Sequence, residues 1–581
     1  MILNLDGLWY FAVDQDPEYH LREDYSGDTS LHHWEQFPVP GCWNRYAERY
    51  DLFEGVAWFV RAFELEELPP HPVARLEFEG VNYRAQVFLN GHRVGEHEGG
   101  YTAFSLDVSS ALHPGNNRLA VRVDNRHLRL RLPAVLGWYN YGGIHRGVRL
   151  RITPHAQLTA ITLRLTPTED GAAGELLVSA VVSGPVTGSR DLRLFARLLD
   201  PSGACVWSGA EAGYSLPLLP GSETELASEA VLLTLDSATP WSPDNPVLYT
   251  CEVELREGEK LLDSRVVTCG IRSLGAEGQE ILLNGAPLYL RGICYLYDHP
   301  ETGVTCDPEV VARDLDDLQA LGVNCLRSHF PLPESFLDEC DRRGLLLWLE
   351  VPIYCLAPPS ASCGSAFAEE SLQALARQML REMVTQAINH PSVIFWGVGN
   401  ECNTDHPEAV AFFRGCVEEV RALDPTRLIG YAALYGGVGC TAEMVDVIGI
   451  NEYWGWYDRL RFSGEDQPPP RLPLELPELK ACLEEQSALG KPLLITEFGA
   501  DAEPGFHSPH TELWSEEYQA VFLARQLEIL ARYPAVRGTF PFSYADYRDP
   551  SKPLTRYWHG LNLKGVVDYS RRRKLAWETL R

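Results

Sequence analysis

Near residue 273 the hydrophobic period of this 581-residue chain changes. Upstream the period is two. Leu119, Val121 and Val123 alternate with Ala120, Arg122 and Asp124, and Ala85–Leu89 runs into Asn90-Gly91, a dipeptide whose positive φ closes a tight hairpin. Residues 1–155 therefore read as a β-sandwich. From 156 to 273 the alternation continues with weaker turns, through Leu176–Val182, Leu192–Leu199 and the one-faced set Tyr249, Cys251, Val253 and Leu255, which fits a second, immunoglobulin-like sandwich. Downstream, short apolar runs alternate with helical stretches: Leu288–Ile293, Val323–Leu326, Leu345–Leu349, Val393–Val398, Leu428–Ala432, Val445–Ile450, Leu493–Thr496 and Val536–Phe540. Such an alternation predicts a (β/α)8 TIM barrel over 274–581. Asp307 caps its first helix, Pro308 takes the first position, and Val311, Leu315 and Leu318 form the apolar face. A later helix runs from about Glu370 and stops before Pro391.

Charge and cysteine usage narrow the function classes. With 50 Lys and Arg against 80 Asp and Glu, the net charge of −30 repels phosphate, so no nucleic-acid partner is expected. No window approaches ~18 consecutive apolar residues, so no membrane span is expected. Met1–Phe11 lacks the basic, apolar and small-residue order of an export signal. The 14 cysteines are scattered from Cys42 to Cys482 without a C-x-x-C pair, which argues against a zinc site or a disulfide framework and predicts a reducing, cytoplasmic setting. Pro468–Pro470 reads as a surface loop.

Active sites of a TIM barrel gather at the C-terminal ends of its strands. The fourth run is followed by Asn400-Glu401 and the seventh by Glu497, and these two strands stand across the barrel from each other. One glutamate at a strand end is commonly a solvated loop residue; two that reach one substrate, with amide and aromatic neighbours, are a pair. Hydrolysis of a glycosidic bond needs such a pair: one carboxyl group protonates the leaving oxygen while the other attacks the anomeric carbon or activates water. Glu350, ending the third run, reads as a supporting hydrogen-bond partner. Cys402 reads as a packing residue. His299 and His329 belong to no spaced ligand set, so no metal is expected, and His329 is placed in the sugar pocket. The basic run Arg571–Lys574 reads as the solvated face of a terminal helix with one stem packed inward.

Over essentially its whole length the chain resembles glycoside hydrolase family 2, the β-glucuronidase and β-galactosidase family. The resembling stretches are Gly7-Leu8-Trp9, Pro40-Gly41-Cys42-Trp43, FEGVNYRAQVFLNGHRVGEHEGGYTAF from Phe78, NYGGIHRGV from Asn140 and WSPDNPVLY from Trp241. The barrel adds NCLRSHFP from Asn324, NHPSVIFWGVGNE from Asn389, NEYWGWY from Asn451 and KPLLITEFGAD from Lys491. The resemblance implies a jelly-roll, sugar-binding first domain, Glu401 as acid/base and Glu497 as nucleophile of a retaining mechanism. It further implies Asn400 on the sugar 2-hydroxyl, Tyr453 beside Glu497, and Arg327 keeping Glu497 ionised. Trp454, Trp456, Tyr457 and Trp558 are expected to form a mixed aromatic pocket.

Asn562-Leu563-Lys564-Gly565 resembles the motif with which β-glucuronidases hold the substrate carboxylate. Four positions depart from that pattern: Gly137 replaces an aspartate, Leu296-Tyr297-Asp298 replaces a His-Glu-Asp string, Trp558 replaces an arginine with Arg556 nearby, and Phe542 replaces a tryptophan. The expectation is a cofactor-free, retaining exo-β-glycosidase acting on a small glycoside or oligosaccharide. β-D-Glucuronide is the leading substrate, with a β-galactoside or another neutral sugar as the alternative and a non-catalytic carbohydrate-binding protein as the other class. The resemblance also implies a homo-oligomer, dimer or tetramer.

Overall fold

Alternation at period two becomes two facing sheets at the start of the computed structural model, which describes residues 1–14, 31–167, 173–184, 189–217, 223–227, 231–234, 238–356, 364–460, 475–554 and 558–581. A six-stranded sheet is ordered Glu35–Val39, Gly7–Val13, Val56–Leu65, Gly115–Asp124, Arg84–Leu89, His92–Glu98, and it covers a four-stranded sheet built on Val148–Pro154 and Pro72–Phe78. Leu119, Val121 and Val123 are fully buried between the sheets. The expected hairpin pairs Leu89 with His92 around Asn90 and Gly91, whose φ values are 50° and 89°. The second domain packs two four-stranded sheets around Leu158, Val178, Leu194 and Val253. The loop ahead of its strand Tyr249–Glu257 reaches the third domain, where buried Trp241 donates through Nε1 to the Asp341 carbonyl at 2.9 Å.

Eight parallel strands then close a barrel: β1 (Leu290–Cys294), β2 (Cys325–Ser328), β3 (Leu346–Glu350), β4 (Val393–Asn400), β5 (Leu428–Leu434), β6 (Val447–Asn451), β7 (Leu493–Phe498) and β8 (Val536–Pro541). Pairing of Leu290 with Gly538 completes the ring. Each fully buried aliphatic side chain in the surrounding shell contributes about 1.5–3 kcal/mol relative to exposure. The helix Pro308–Ala320 starts as its sequence predicts, with the Asp307 carboxylate accepting from the Glu309 and Val310 amides. The helix Glu370–Ala387 ends four residues ahead of Pro391.

Two glycines make room for a core tryptophan that matters to the site. A Cβ on Gly397 in β4 would lie 2.5 Å from Trp348 Nε1, and one on Gly430 in β5 would lie 2.2 Å from the same indole. Trp348 in β3 thereby lies flat across its neighbours, and its Nε1 donates to Glu350 at 2.9 Å.

The first domain docks on the C-terminal mouth of the barrel. Tyr101 stacks on Phe330 at 4.1 Å, Arg146 donates to the carbonyls of Tyr101 and Pro331, and Arg548 pairs with Asp51 at 2.8 Å. Asp298, in the string that departs from the glucuronidase pattern, is buried and accepts from Tyr141 Oη at 2.7 Å. It joins domains and does not face the carboxylates, and Leu296 is a core residue beside it.

The basic run corrects the expectation made of it. The terminal helix begins only at Leu575, because Arg571 adopts a left-handed φ of 66° that interrupts helical backbone. Arg571 pairs with Asp314 at 3.1 Å and buried Lys574 with Asp546 at 2.8 Å, while Arg572 and Arg573 stay exposed. Two buried acids elsewhere in the barrel thus claim half the run. Pro468–Pro470 and Arg556 lie outside the described residues.

Candidate active site

Five strand ends converge on one buried hydrogen-bond network. Arg327, from β2, has no exposed side-chain surface. Its Nη1 donates to Glu497 Oε1 at 2.7 Å, and its Nη2 donates to Glu350 Oε1 at 3.1 Å and to Asn400 Oδ1 at 2.6 Å. Burial opposes the guanidinium charge, but the carboxylates of Glu350 and Glu497 outweigh it and raise the pKa. Glu350 is saturated by Arg327, by Trp348 Nε1 and by His329 Nδ1 at 2.6 Å. Burial works against its charge as well, yet Arg327 and His329 hold its pKa below the ordinary value. With both oxygens engaged, Glu350 positions Arg327 and His329 and has no lone pair aimed at a substrate.

Glu497, at the end of β7, receives Tyr453 Oη on Oε2 at 2.7 Å and has His329 Nε2 3.4 Å from Oε1. Both oxygens thus face donors. Glu401 stands in a different setting. It follows β4 at a left-handed φ of 52°, a strained turn fastened by its amide to the Ala432 carbonyl at 2.9 Å. The residue keeps some exposed surface, while its carboxyl group sits deep among protein atoms. Burial first, and the nearby charge of Glu497 second, push its pKa up to about 7. Asn451 Nδ2 donates to Glu401 Oε1 at 2.7 Å, and the Cys355 thiol lies 3.8 Å from Oε2. The two carboxyl groups therefore stand in different settings: donors meet both oxygens of Glu497, while Glu401 is pushed toward the neutral acid near neutrality.

Asn400 shares in this division. Arg327 and Asn451 both donate to its Oδ1, which fixes the orientation of the amide, and its buried Nδ2 has no partner among the described residues. An unspent donor beside two carboxylates is suited to a hydroxyl of the bound molecule. Asn451, fixed in turn by Thr496 Oγ1 at 2.7 Å, was not singled out from the sequence. It ends β6 as Asn400 and Glu497 end their apolar runs, so the same signal was present. Trp138 is a second addition: this first-domain residue stacks on His329 at 5.7 Å and meets Tyr354 edge-on at 5.4 Å. The adjacent departure at Gly137 has a spatial partner, because a Cβ there would lie 2.7 Å from Tyr354 Oη. Phe542 faces His329 at 6.0 Å and Tyr547 at 6.1 Å.

Lys564 lies on the next part of the wall. Its Nζ donates to Asp501 Oδ2 at 2.7 Å and to Tyr457 Oη at 2.9 Å, and it sits 5.6 Å from the centre of the Tyr453 ring. Asn562 Nδ2 donates to Tyr547 Oη at 3.1 Å and lies 3.5 Å from Asp549 Oδ2. Burial opposes the charge of Asp501, but Lys564 and then Lys552 lower its pKa. Lys564→Ala would strand that buried carboxylate, so a loss of about 3–5 kcal/mol is expected, read as a lower urea midpoint. Activity should then fall on neutral and anionic substrates alike.

The aromatic residues divide: Tyr457 and Trp558 flank the Lys552 ammonium, at 5.5 and 5.3 Å, while Trp454 and Trp456 turn elsewhere. Tyr457 packs on Tyr453 at 5.1 Å, Trp454 lies against Tyr435 at 4.8 Å, and Trp558 meets Trp514 at 5.0 Å. Trp456 corrects the expectation: a turn from Tyr453 O to Trp456 N points it inward, where it is fully buried against Trp514. Cys402 is buried, and its thiol pKa is pushed up to about 12 by burial. His299 lies in a loop bridge to Gly303. Among the described residues one group could hold a metal ion, Asp338, Asp341 and His390, and there His390 Nδ1 pairs with Asp341 at 2.6 Å.

Three family models tile this architecture. Residues 2–154 match the sugar binding domain of glycosyl hydrolases family 2, residues 159–272 the model named for the family itself, and residues 275–577 its TIM barrel domain. A β-glucuronidase of Paenibacillus borealis is 28% identical, with 100% of this chain and 96% of the relative covered. Among solved structures, a β-galacturonidase from Eisenbergiella tayi bound to galacturonate is 29% identical with a TM-score of 0.84, covering 100% of this chain and 96% of that one. A Bifidobacterium dentium β-glucuronidase complexed with coumarin-3-O-glucuronide is 27% identical with a TM-score of 0.85, covering 100% and 96%. With the paired carboxylates at the mouth of its barrel and family matches along its whole length, the chain belongs to glycosyl hydrolases family 2 and is a glycoside hydrolase.

Proposed function

We propose that the enzyme is a retaining exo-β-glycosidase that removes a terminal uronic acid, β-D-glucuronate foremost, by double displacement. The observation that carries the mechanism is the unequal setting of the two carboxyl groups. Glu497, which accepts hydrogen bonds from Arg327 and Tyr453, attacks the anomeric carbon while the Glu401 proton passes to the departing oxygen. The bond from carbon to the leaving group breaks as the glycosyl ester forms. Water then gives a proton to Glu401 and attacks the same carbon, which releases Glu497. Asn400 Nδ2 supplies a hydrogen bond to the 2-hydroxyl that strengthens as charge develops on the ring.

Two features support an anionic sugar: the Lys552 ammonium reaches Tyr457 Oη at 3.4 Å, and the relatives above are named for uronides. The free thiols of the described cysteines agree with a reducing cytoplasm, which is part of the same reading, as is a homo-oligomer. The test is kcat/KM on p-nitrophenyl β-glycosides. The glucuronide or galacturonide should exceed the galactoside and glucoside by about 10²-fold, the value of one or two charge-assisted hydrogen bonds. Preference for a neutral sugar would overturn the substrate, and inverted configuration in the first-formed product would overturn the mechanism.

A further inference from the structure

We propose that Lys552, which no motif singled out, supplies the uncompensated positive charge that selects an anionic sugar. The inference rests on the uronide reading above and names the residue on which selection depends. Its argument is one of pairing. Lys564 is buried and already holds the Asp501 carboxylate at 2.7 Å, so a substrate carboxylate brought to the same ammonium would meet a second anion in a low-dielectric wall. Lys564 and Asp501 together act as a neutral unit.

Lys552 differs in each respect. It is half-buried, its Nζ reaches Tyr457 Oη at 3.4 Å, among the described residues no carboxylate stands at ion-pair distance from it, and Asp501, which feels its charge, is already paired with Lys564. The ammonium rests 5.5 Å from the Tyr457 ring and 5.3 Å from the Trp558 ring, contacts that hold a cation without cancelling its charge. Its backbone is placed by a fixed turn. Asp549 Oδ1 accepts from the Ser551 amide and hydroxyl at 2.9 and 2.6 Å, and the Lys552 amide donates to the Asp549 carbonyl at 3.1 Å. The other oxygen of Asp549 lies 3.5 Å from Asn562, and the Asp549 amide donates to the Gly560 carbonyl at 3.0 Å. Asp549 thus ties Lys552 and Asn562 to one short stretch of chain, and Lys552 meets Lys564 at the Tyr457 hydroxyl. Trp558, which replaces the arginine of the glucuronidase pattern, contributes a ring face to Lys552 in its place.

The test compares p-nitrophenyl β-D-glucuronide with its methyl ester, the same sugar without the charge, in the wild type, Lys552→Met and Lys552→Arg. In Lys552→Met the loss of kcat/KM on the free acid should exceed the loss on the ester by about 10- to 100-fold and appear mainly in KM. Lys552→Arg should recover most of that difference. Equal losses on acid and ester, or no loss on either, would overturn the inference, and the ester serves as the internal control for a general defect in the variant. A wild type without uronide preference would overturn the substrate reading itself. A wild type with that preference whose acid-to-ester ratio is untouched in Lys552→Met would overturn only the role of Lys552.

Discussion

Glu497→Ala is expected to lower kcat by about 10⁵-fold, because it removes the group that forms the covalent intermediate and leaves only binding and residual polarisation by the site. The fold should persist, since Arg327 keeps Glu350 at 3.1 Å and Asn400 at 2.6 Å after Glu497 is gone. Unchanged circular dichroism and urea midpoint would verify that. The diagnostic readout is azide. Truncation opens a space on the face that Glu497 occupied, and azide entering there attacks the anomeric carbon once, so it should restore turnover and give a glycosyl azide of inverted configuration. Glu497→Gln keeps the size of the side chain and loses the nucleophile; it should be equally slow and resist rescue because the space stays filled. Activity of Glu497→Ala within tenfold of wild type would mean that another group attacks. Glu350 is the alternative carboxylate, but its two oxygens are engaged by Arg327, His329 and Trp348.

The barrel was legible because its strands are buried on every side and read as unbroken apolar runs. The runs nevertheless stop short of the strands. β3 continues to Glu350, β4 to Asn400, β6 to Asn451 and β7 to Phe498 past Glu497. These extensions are the chemistry: polar side chains held in a parallel ladder are positioned by backbone hydrogen bonds, and a hydropathy reading ends where they begin. Glu401 and Glu497 were legible through their place after such runs. Asn451 sits in the same kind of place and was passed over. Arg327 was named only through the family resemblance, since a basic residue after a short apolar run has no distinguishing pattern.

Long-range pairing was not legible. Trp138 reaches His329 from another domain, and Arg571 and Lys574 find Asp314 and Asp546 across the barrel. Nothing within a few residues of each partner announces these contacts. Aromatic orientation was equally closed to the sequence. Trp454 and Trp456 are two residues apart, yet a single turn sends one toward Tyr435 and the other into the core. Lys564 illustrates the energetic form of the same limit: an amide-plus-ammonium motif is readable, but the Asp501 that neutralises it is 63 residues away.

Glu401→Ala is expected to separate substrates by their leaving groups. Alkyl glycosides, whose oxygen needs a proton as it departs, should lose about 10³-fold, within the range typical of general acid catalysis, while dinitrophenyl glycosides should lose little in the first step. A uniform loss across leaving groups would remove Glu401 from the acid role. The pH profile follows from the same residue. Burial and the charge of Glu497 both favour the neutral form and put the pKa at about 7, so the proton needed for leaving-group departure is present below that pH and lost above it. kcat/KM of the wild type should therefore fall tenfold per pH unit on the alkaline side of about 7, and that limb should vanish in Glu401→Ala. The two causes also explain how one group can act twice. Once Glu497 is esterified its negative charge is gone, the second cause of the raised pKa is removed, and Glu401 becomes a stronger acid that ionises readily and, as a carboxylate, takes a proton from water. Glu497→Gln imitates that neutral state without any substrate. Titration of Glu401 in this variant, followed by carboxyl carbon shifts, should give a pKa below that of the wild type; an unmoved value would mean that burial alone sets it and that the switch from acid to base has another source.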